Sequence, residues 1–362
     1  MTSLGMARTV EVGQSRFAGL PRTAAAGLLA LVAILIALGL WIPTSTAPAV
    51  AKGTQTDLAL YQAIVKRVRN GEPYEHAAVA EQRARGYPLK PFFVVRPPTL
   101  AVLLAAIANG RIAQALETLL AAAVIFAWTV RLRALGPGAP WMAWTACSLF
   151  TGVGASMAGG AVTEFTEIWA GLLVALSLAA RTERRFAVAV ILGLAAALVR
   201  ELAMPYLLAM TFFAAIERRR AEAISFAAAL IVAVGALAWH AHDVGALVTP
   251  QDSSSPGWLS LGGVSFVRAT EYWILIVPLV GSWATAAIAP LALMGAGSWK
   301  GATGIRLLSV LVGYLCAFLL VGRPDNAYWG FLIAPLLAVG LSLAPLALYD
   351  LIRRGILRTT DA

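Results

Sequence analysis

The sequence predicts an all-α fold, a polytopic transmembrane helical bundle of about ten spans. Three observations carry that reading. First, 60% of the 362 residues are hydrophobic and only 13% are charged, with a mean hydropathy of +0.78. A soluble domain of this length cannot bury so much apolar surface. Second, the apolar residues come in long blocks rather than in alternation. That excludes an outer-membrane barrel and leaves helices, which satisfy their own backbone hydrogen bonds in lipid. Third, the formal charge of +10 sits mostly in short clusters between the blocks. Loops on the cytoplasmic side of a membrane carry this signature, so nucleic acid is not needed to explain the basic balance.

The elements follow in order. Residues 1–22 read as a cytoplasmic segment, 23–350 as one transmembrane domain and 351–362 as a cytoplasmic tail. Spans are expected near 23–42, 111–130, 141–160, 164–180, 186–200, 202–216, 223–239, 272–295, 306–321 and 331–349. With that count, six cation clusters fall on one side. They are Arg8/Arg16/Arg22, Arg131/Arg133, Arg181/Arg184/Arg185, Arg218/Arg219/Arg220, Lys300/Arg306 and Arg353/Arg354/Arg358. Both termini are therefore expected in the cytoplasm. The long first loop, 43–96, is expected on the outer face, and within it Asp57 to Asn70 reads as an amphipathic interfacial helix. Leu58, Tyr61, Ile64, Val65 and Val68 make its apolar stripe and Gly71 its stop. Segment 97–109 is too short to span and reads as interfacial or re-entrant. Cys147 and Cys316 lie inside apolar segments, so no disulfide framework or cysteine metal site is expected.

Ionisable residues at membrane depth or at its edge are functional candidates by default. Four groups qualify, all placed on the outer face. Asp57 shares a helix face with Tyr61, four residues on; its bland alternative is an acid at a helix N-terminus. Arg96, among prolines at the membrane edge, suits a phosphate or a lipid headgroup. Glu164 and Glu167 sit three apart at a helix start, where Thr163 is the expected cap, and Arg200-Glu201 falls between two apolar runs with little loop to hold it. Arg323, Asp325 and Asn326 occupy a polar loop pinched between spans, with Tyr328-Trp329 as belt anchors. His240, His242 and Asp243 make only a weak metal pattern, and no metal site is expected. No phosphate-loop, nucleophile-elbow or dinucleotide motif is present.

The layout resembles the GT-C superfamily of membrane glycosyltransferases, especially bacterial polyprenol-phosphate-mannose-dependent mannosyltransferases. The likeness rests on an acid opening the first outer loop, Asp57, before a helix ending in Gly71-Glu72-Pro73-Tyr74. It rests also on Arg96-Pro97-Pro98-Thr99-Leu100 leading into the next apolar stretch, and on Arg200-Glu201-Leu202-Ala203-Met204-Pro205 at a span junction. The resemblance implies a bacterial inner-membrane enzyme with a polyprenyl-phosphate sugar as donor and a lipid or glycan as acceptor. It implies Asp57 as general base, inversion at the sugar, and Arg96, Arg200 or Arg323 on the leaving phosphate. No cofactor is implied. Many relatives carry two neighbouring acids where Gln55-Thr56-Asp57 supplies one, so metal-independent transfer is expected. Two other classes stay open: a transporter or flippase, and an assembly subunit in which Asp57 is only a helix cap.

Overall fold

The computed structural model describes residues 15–43, 47–107, 109–136, 138–154, 163–257, 261–274 and 276–357, with side chains at 47–56 and 138–139 left aside. Arg8, Arg358, the end of the expected 141–160 span and the first part of the turn after it lie outside the described residues. Helices follow one another along the chain: α1 Arg22–Trp41, α2 Ala47–Arg69, α3 Tyr74–Ala84, α4 Thr99–Ala106 and α5 Gly110–Leu132. Then come α6 Gly138–Val153, α7 Thr166–Ala180, α8 Ala187–Val199, α9 Met204–Ile216 and α10 Arg220–Leu247. The last are α11 Gly263–Glu271, α12 Ile276–Val280, α13 Thr285–Ser298, α14 Ala302–Leu320 and α15 Gly330–Gly355. The described residues contain no strand, only an isolated bridge between Lys90 and Ser254.

Among the described residues, five helical stretches are long and apolar enough to cross a membrane: Arg22–Trp41, Gly110–Leu132, Arg220–Leu247, Ala302–Leu320 and Pro324–Gly355. The molecule is a helical membrane protein. α7, α8 and α9 are apolar but have only 15, 13 and 13 residues, short of the usual span length.

Burial sorts the long helices. Only 11% of the apolar window of α1 is buried, against 78% for Pro324–Gly355. A helix apolar all round with few neighbours faces lipid, whereas the same composition under cover is a core. α15 is that core, packed against α13, α6, α1 and α7. Small residues let the backbones meet, as they do in membrane bundles generally. A Cβ on Gly295 of α13 would lie 2.0 Å from the Gly340 carbonyl oxygen of α15, and one on Gly171 of α7 would lie 2.4 Å from that of Phe331. At the head of α15, a Cβ on Gly330 would fall 1.8 Å from the Thr270 carbonyl oxygen of α11.

Both described termini share one end of the bundle. Arg22 Nε donates to the Gly355 carbonyl at 3.3 Å, and Ser15 Oγ to Asp350 at 2.5 Å. α7 then carries the chain between two charged ends, with Glu167 in its first turn and Arg181 just past its last. Fifteen residues at ~1.5 Å each put those ends ~22 Å apart.

Three expectations need correction. α2 begins at Ala47, ten residues before the expected start, so Asp57 lies inside a helix and caps nothing. The helix does stop near Gly71, whose φ of 93° favours glycine. The expected span 272–295 is broken: Pro278 sits in the short α12, Gly281 takes φ 105°, and a 3-10 turn, Ser282–Ala284, precedes α13. Thr163 does not cap α7; Phe165 is the N-cap and offers no side-chain bond.

Candidate active site

Asp57 and Tyr61 sit one turn apart on α2 and face the same cavity. The chain leaving α3 turns at Gly86, φ 72°, and brings Tyr87 over Asp57. The Tyr87 hydroxyl donates to Asp57 Oδ1 at 2.8 Å. Burial raises the Asp57 carboxyl above its ordinary 3.8, with the Tyr87 bond and the Arg96 charge pulling the other way. Burial also pushes the Tyr61 phenol up to about 12, so it stays a neutral donor.

Arg96 arrives between the 3-10 turn Phe92–Val94 and two prolines. Its Nε donates to the Tyr61 hydroxyl at 3.1 Å and its Nη2 to the Tyr328 hydroxyl at 2.5 Å. The guanidinium also lies over both rings, 6.0 Å and 5.8 Å from their centroids. Behind it, Glu167 Oε1 is 3.7 Å from Arg96 Nη2 and 2.7 Å from Arg200 Nε. Arg200 pairs with Glu201 as well. One buried carboxylate thus links two guanidiniums, which keeps the Arg96 charge compensated on its protein side.

The fourth wall is the corner between α14 and α15. The 3-10 helix Pro324–Trp329 buries Asn326, Tyr328 and Trp329. Arg323 Nε donates to Asp325 Oδ1 at 3.0 Å, while Arg323 Nη1 and Asn326 Nδ2 have no protein acceptor. Together these walls enclose a cavity of about 350 Å³. Exposed Arg85 and Asp325 also line it, so it reaches solvent at the end of the bundle.

Three guanidiniums, Arg85, Arg96 and Arg323, against two carboxylates, Asp57 and Asp325, with orphan N–H donors on Arg323 and Asn326, fit an anionic, hydroxyl-rich ligand. No protein-family model, curated protein or solved structure matches this chain. The chemistry of the site is therefore read from its own geometry.

Of the residues singled out from sequence, Asp57, Tyr61, Arg96, Arg323, Asp325 and Asn326 line the cavity. Glu167, Arg200 and Glu201 form the layer behind Arg96. Glu164 does not join them. It lines a separate, mostly apolar pocket with Ile64, Leu100 and Leu104, which touches the main site only through Arg96 and Tyr61. Sequence reasoning placed Tyr87 in the proline-rich segment with Arg96 and read Tyr328 as a belt anchor, but gave neither a role in the site, whose two principal groups their hydroxyls hold. Tyrosine at a membrane edge is so common as an anchor that neither was given a polar role. His240 is buried and bonded to the Val95 carbonyl. Among the described residues no group of three metal-ligating side chains is assembled.

Proposed function

We propose that this protein is an inverting glycosyltransferase. It moves a mannose-like sugar from a polyprenyl-phosphate donor to a lipid or glycan acceptor at the outer face of a bacterial inner membrane. The observation that carries the reading is the meeting of Asp57, Arg96 and Arg323, far apart in sequence, on one cavity at the end of an apolar bundle.

In this reading α1, α5 to α10 and α13 to α15 make ten crossings. Both termini lie in the cytoplasm with the Arg181 cluster, and the Asp57 end lies outside. The acceptor hydroxyl sits against Asp57. As its oxygen forms the new bond to the anomeric carbon, the proton passes to an Asp57 carboxylate oxygen. The bond between that carbon and the phosphate oxygen breaks on the opposite face, which inverts the centre. The electron pair leaves with polyprenyl phosphate, whose charge is met by Arg96 and Arg323. Glu167 and Arg200 hold Arg96 in place, and Tyr87 orients the base. A transporter would need polar groups along a path through the bilayer; the charged clusters here, Glu167 with Arg200 and Arg96 and Arg181 with Glu222 and Glu217, sit at the two ends of α7 instead.

The test is transfer by membranes supplied with polyprenyl-phosphate sugars, comparing the intact protein with Asp57→Asn. Transfer that depends on the protein and falls at least about a hundredfold in the variant supports the reading. Equal transfer by a well-inserted Asp57→Asn protein removes Asp57 from the mechanism.

A further inference from the structure

The backbone that delivers Arg96 is held by side chains from elsewhere. Three consecutive carbonyls each accept a hydrogen bond from a different residue. Gln82 Nε2 donates to Val94 O at 3.1 Å, and the Tyr74 hydroxyl donates to Arg96 O at 2.7 Å. Between them, His240 Nε2 bonds Val95 O at 3.0 Å across 145 positions of chain. A carbonyl only accepts, so this ring nitrogen carries the proton. All three donors are buried, at 6% exposure or less. The opposite ring nitrogen of His240 lies 3.7 Å from Glu75 Oε1 and has no hydrogen-bond partner.

The stretch cannot satisfy itself. Pro97 and Pro98 follow without N–H groups, and between the 3-10 turn Phe92–Val94 and the start of α4 at Thr99 the chain is neither helix nor strand. Nor are the three bonds needed to close the fold around them. Leu60, Ile64, Ala77, Ala78, Val79 and Val244 already form an apolar cluster that packs α3 onto α2 and α10. What the bonds add is direction: they fix the plane of each peptide up to the residue whose guanidinium enters the cavity.

We propose that Tyr74, Gln82 and His240 are positioning residues for Arg96. They set the guanidinium over the Tyr61 and Tyr328 rings and so set its grip on the anionic part of the ligand. The effect on turnover rests on the transferase reading, whereas the cradle itself does not.

The experiment uses the full chain in detergent micelles, with Tyr74→Phe, His240→Ala and His240→Gln, each alone and combined with Arg96→Ala. One arm follows hydrogen exchange in peptides covering residues 92–98. The other follows kcat/KM for transfer from polyprenyl-phosphate mannose. Tyr74→Phe and His240→Ala should each speed exchange in that segment and lower kcat/KM about tenfold, the order of one net hydrogen bond. His240→Gln, which keeps an N–H donor, should recover part of both. In the Arg96→Ala background neither substitution should lower kcat/KM further, because the effect runs through Arg96. Losses that multiply with Arg96→Ala would show general destabilisation and overturn the proposal, as would unchanged exchange in both single variants. If the wild-type chain transfers no sugar, the transferase reading falls, and faster exchange in the variants still upholds the cradle.

Discussion

At one end of α7, Glu167 meets Arg200 and Arg96; just past the other, Arg181 meets Glu222 and Glu217. Both clusters bury charge, but they are finished differently. At the Arg181 end every carboxylate oxygen of Glu217 and Glu222 is bonded. Arg306 grips Glu217 at 2.6 and 2.8 Å, Arg181 grips Glu222 at 2.7 and 3.0 Å, and Arg219 closes on Glu222. At the Asp57 end, Arg323 Nη1 and Asn326 Nδ2 have no hydrogen-bond partner, and both residues line an open cavity. Buried polar atoms are nearly always satisfied within a folded chain. The Arg181 cluster, with Arg306 Nε alone left over among its buried polar atoms, belongs to the fold, whereas the open donors at the Asp57 end face something the chain does not supply.

The sharpest way to break this comparison is to cut one group from each end. Asp57→Asn should insert normally and lower transfer by about 10² to 10⁴. It should be at least as stable as the parent, because burial raises the Asp57 pKa. Such a group holds its proton more tightly when folded, so its ionisation costs stability as pH rises from 3.8 through the raised value. Thermal unfolding in detergent at neutral pH, beside the transfer assay, checks both halves. Arg181→Ala should do the reverse. Removing one partner of a buried pair costs about 3–5 kcal/mol, while the KM of whatever remains folded stays near the parent value. A large KM change with little loss of stability would erase the distinction between the ends.

Arg96→Ala should raise donor KM and lower kcat together, each by about tenfold or more, since a phosphate contact serves both binding and departure. Titration offers a finer contrast. The Arg306 guanidinium beside Glu217 holds its carboxyl below the ordinary 4.5. A depressed carboxyl contributes stability above its unfolded pKa and loses it as pH falls through the folded one. Unfolding followed from neutral pH to below 4.5 should show that loss, and Glu217→Gln should flatten it. The smallest effect belongs to Tyr87→Phe. Its hydroxyl favours the ionised Asp57, so losing it should move the acid limb of kcat/KM to higher pH. A limb that stays put would leave Asp57 out of that profile.

Much of this was legible in the sequence, for reasons that can be named. Long apolar blocks leave helices as the only economical structure, and Asp57 and Tyr61 share a face by spacing alone. The early start of α2 was hidden because residues 47–56 carry no apolar periodicity to announce it. The break at 272–284 was hidden because Pro278 and Gly281 are ordinary residues inside membrane helices. Glu164 and Glu167 look alike on paper, yet α7 begins between them, so their directions part. The partnership of Glu167 with Arg200 spans 33 positions (200 minus 167) and leaves no local trace. Sequence reading named Asp57, Tyr61, Arg96, Arg323 and Asp325 but not Arg85, and it gave Tyr87 and Tyr328 no polar role because tyrosine at a membrane edge usually serves as an anchor.

Gly330 follows Tyr328 and Trp329 directly and rests its α-carbon against the Thr270 carbonyl of α11. No side chain fits between those two backbones. Even an alanine there would act as a wedge, lifting the head of α15 off its seat and carrying the Tyr328 hydroxyl away from Arg96. The aperture of the cavity is thus calibrated by a hydrogen atom on the far side of the corner, at a residue that does not line it.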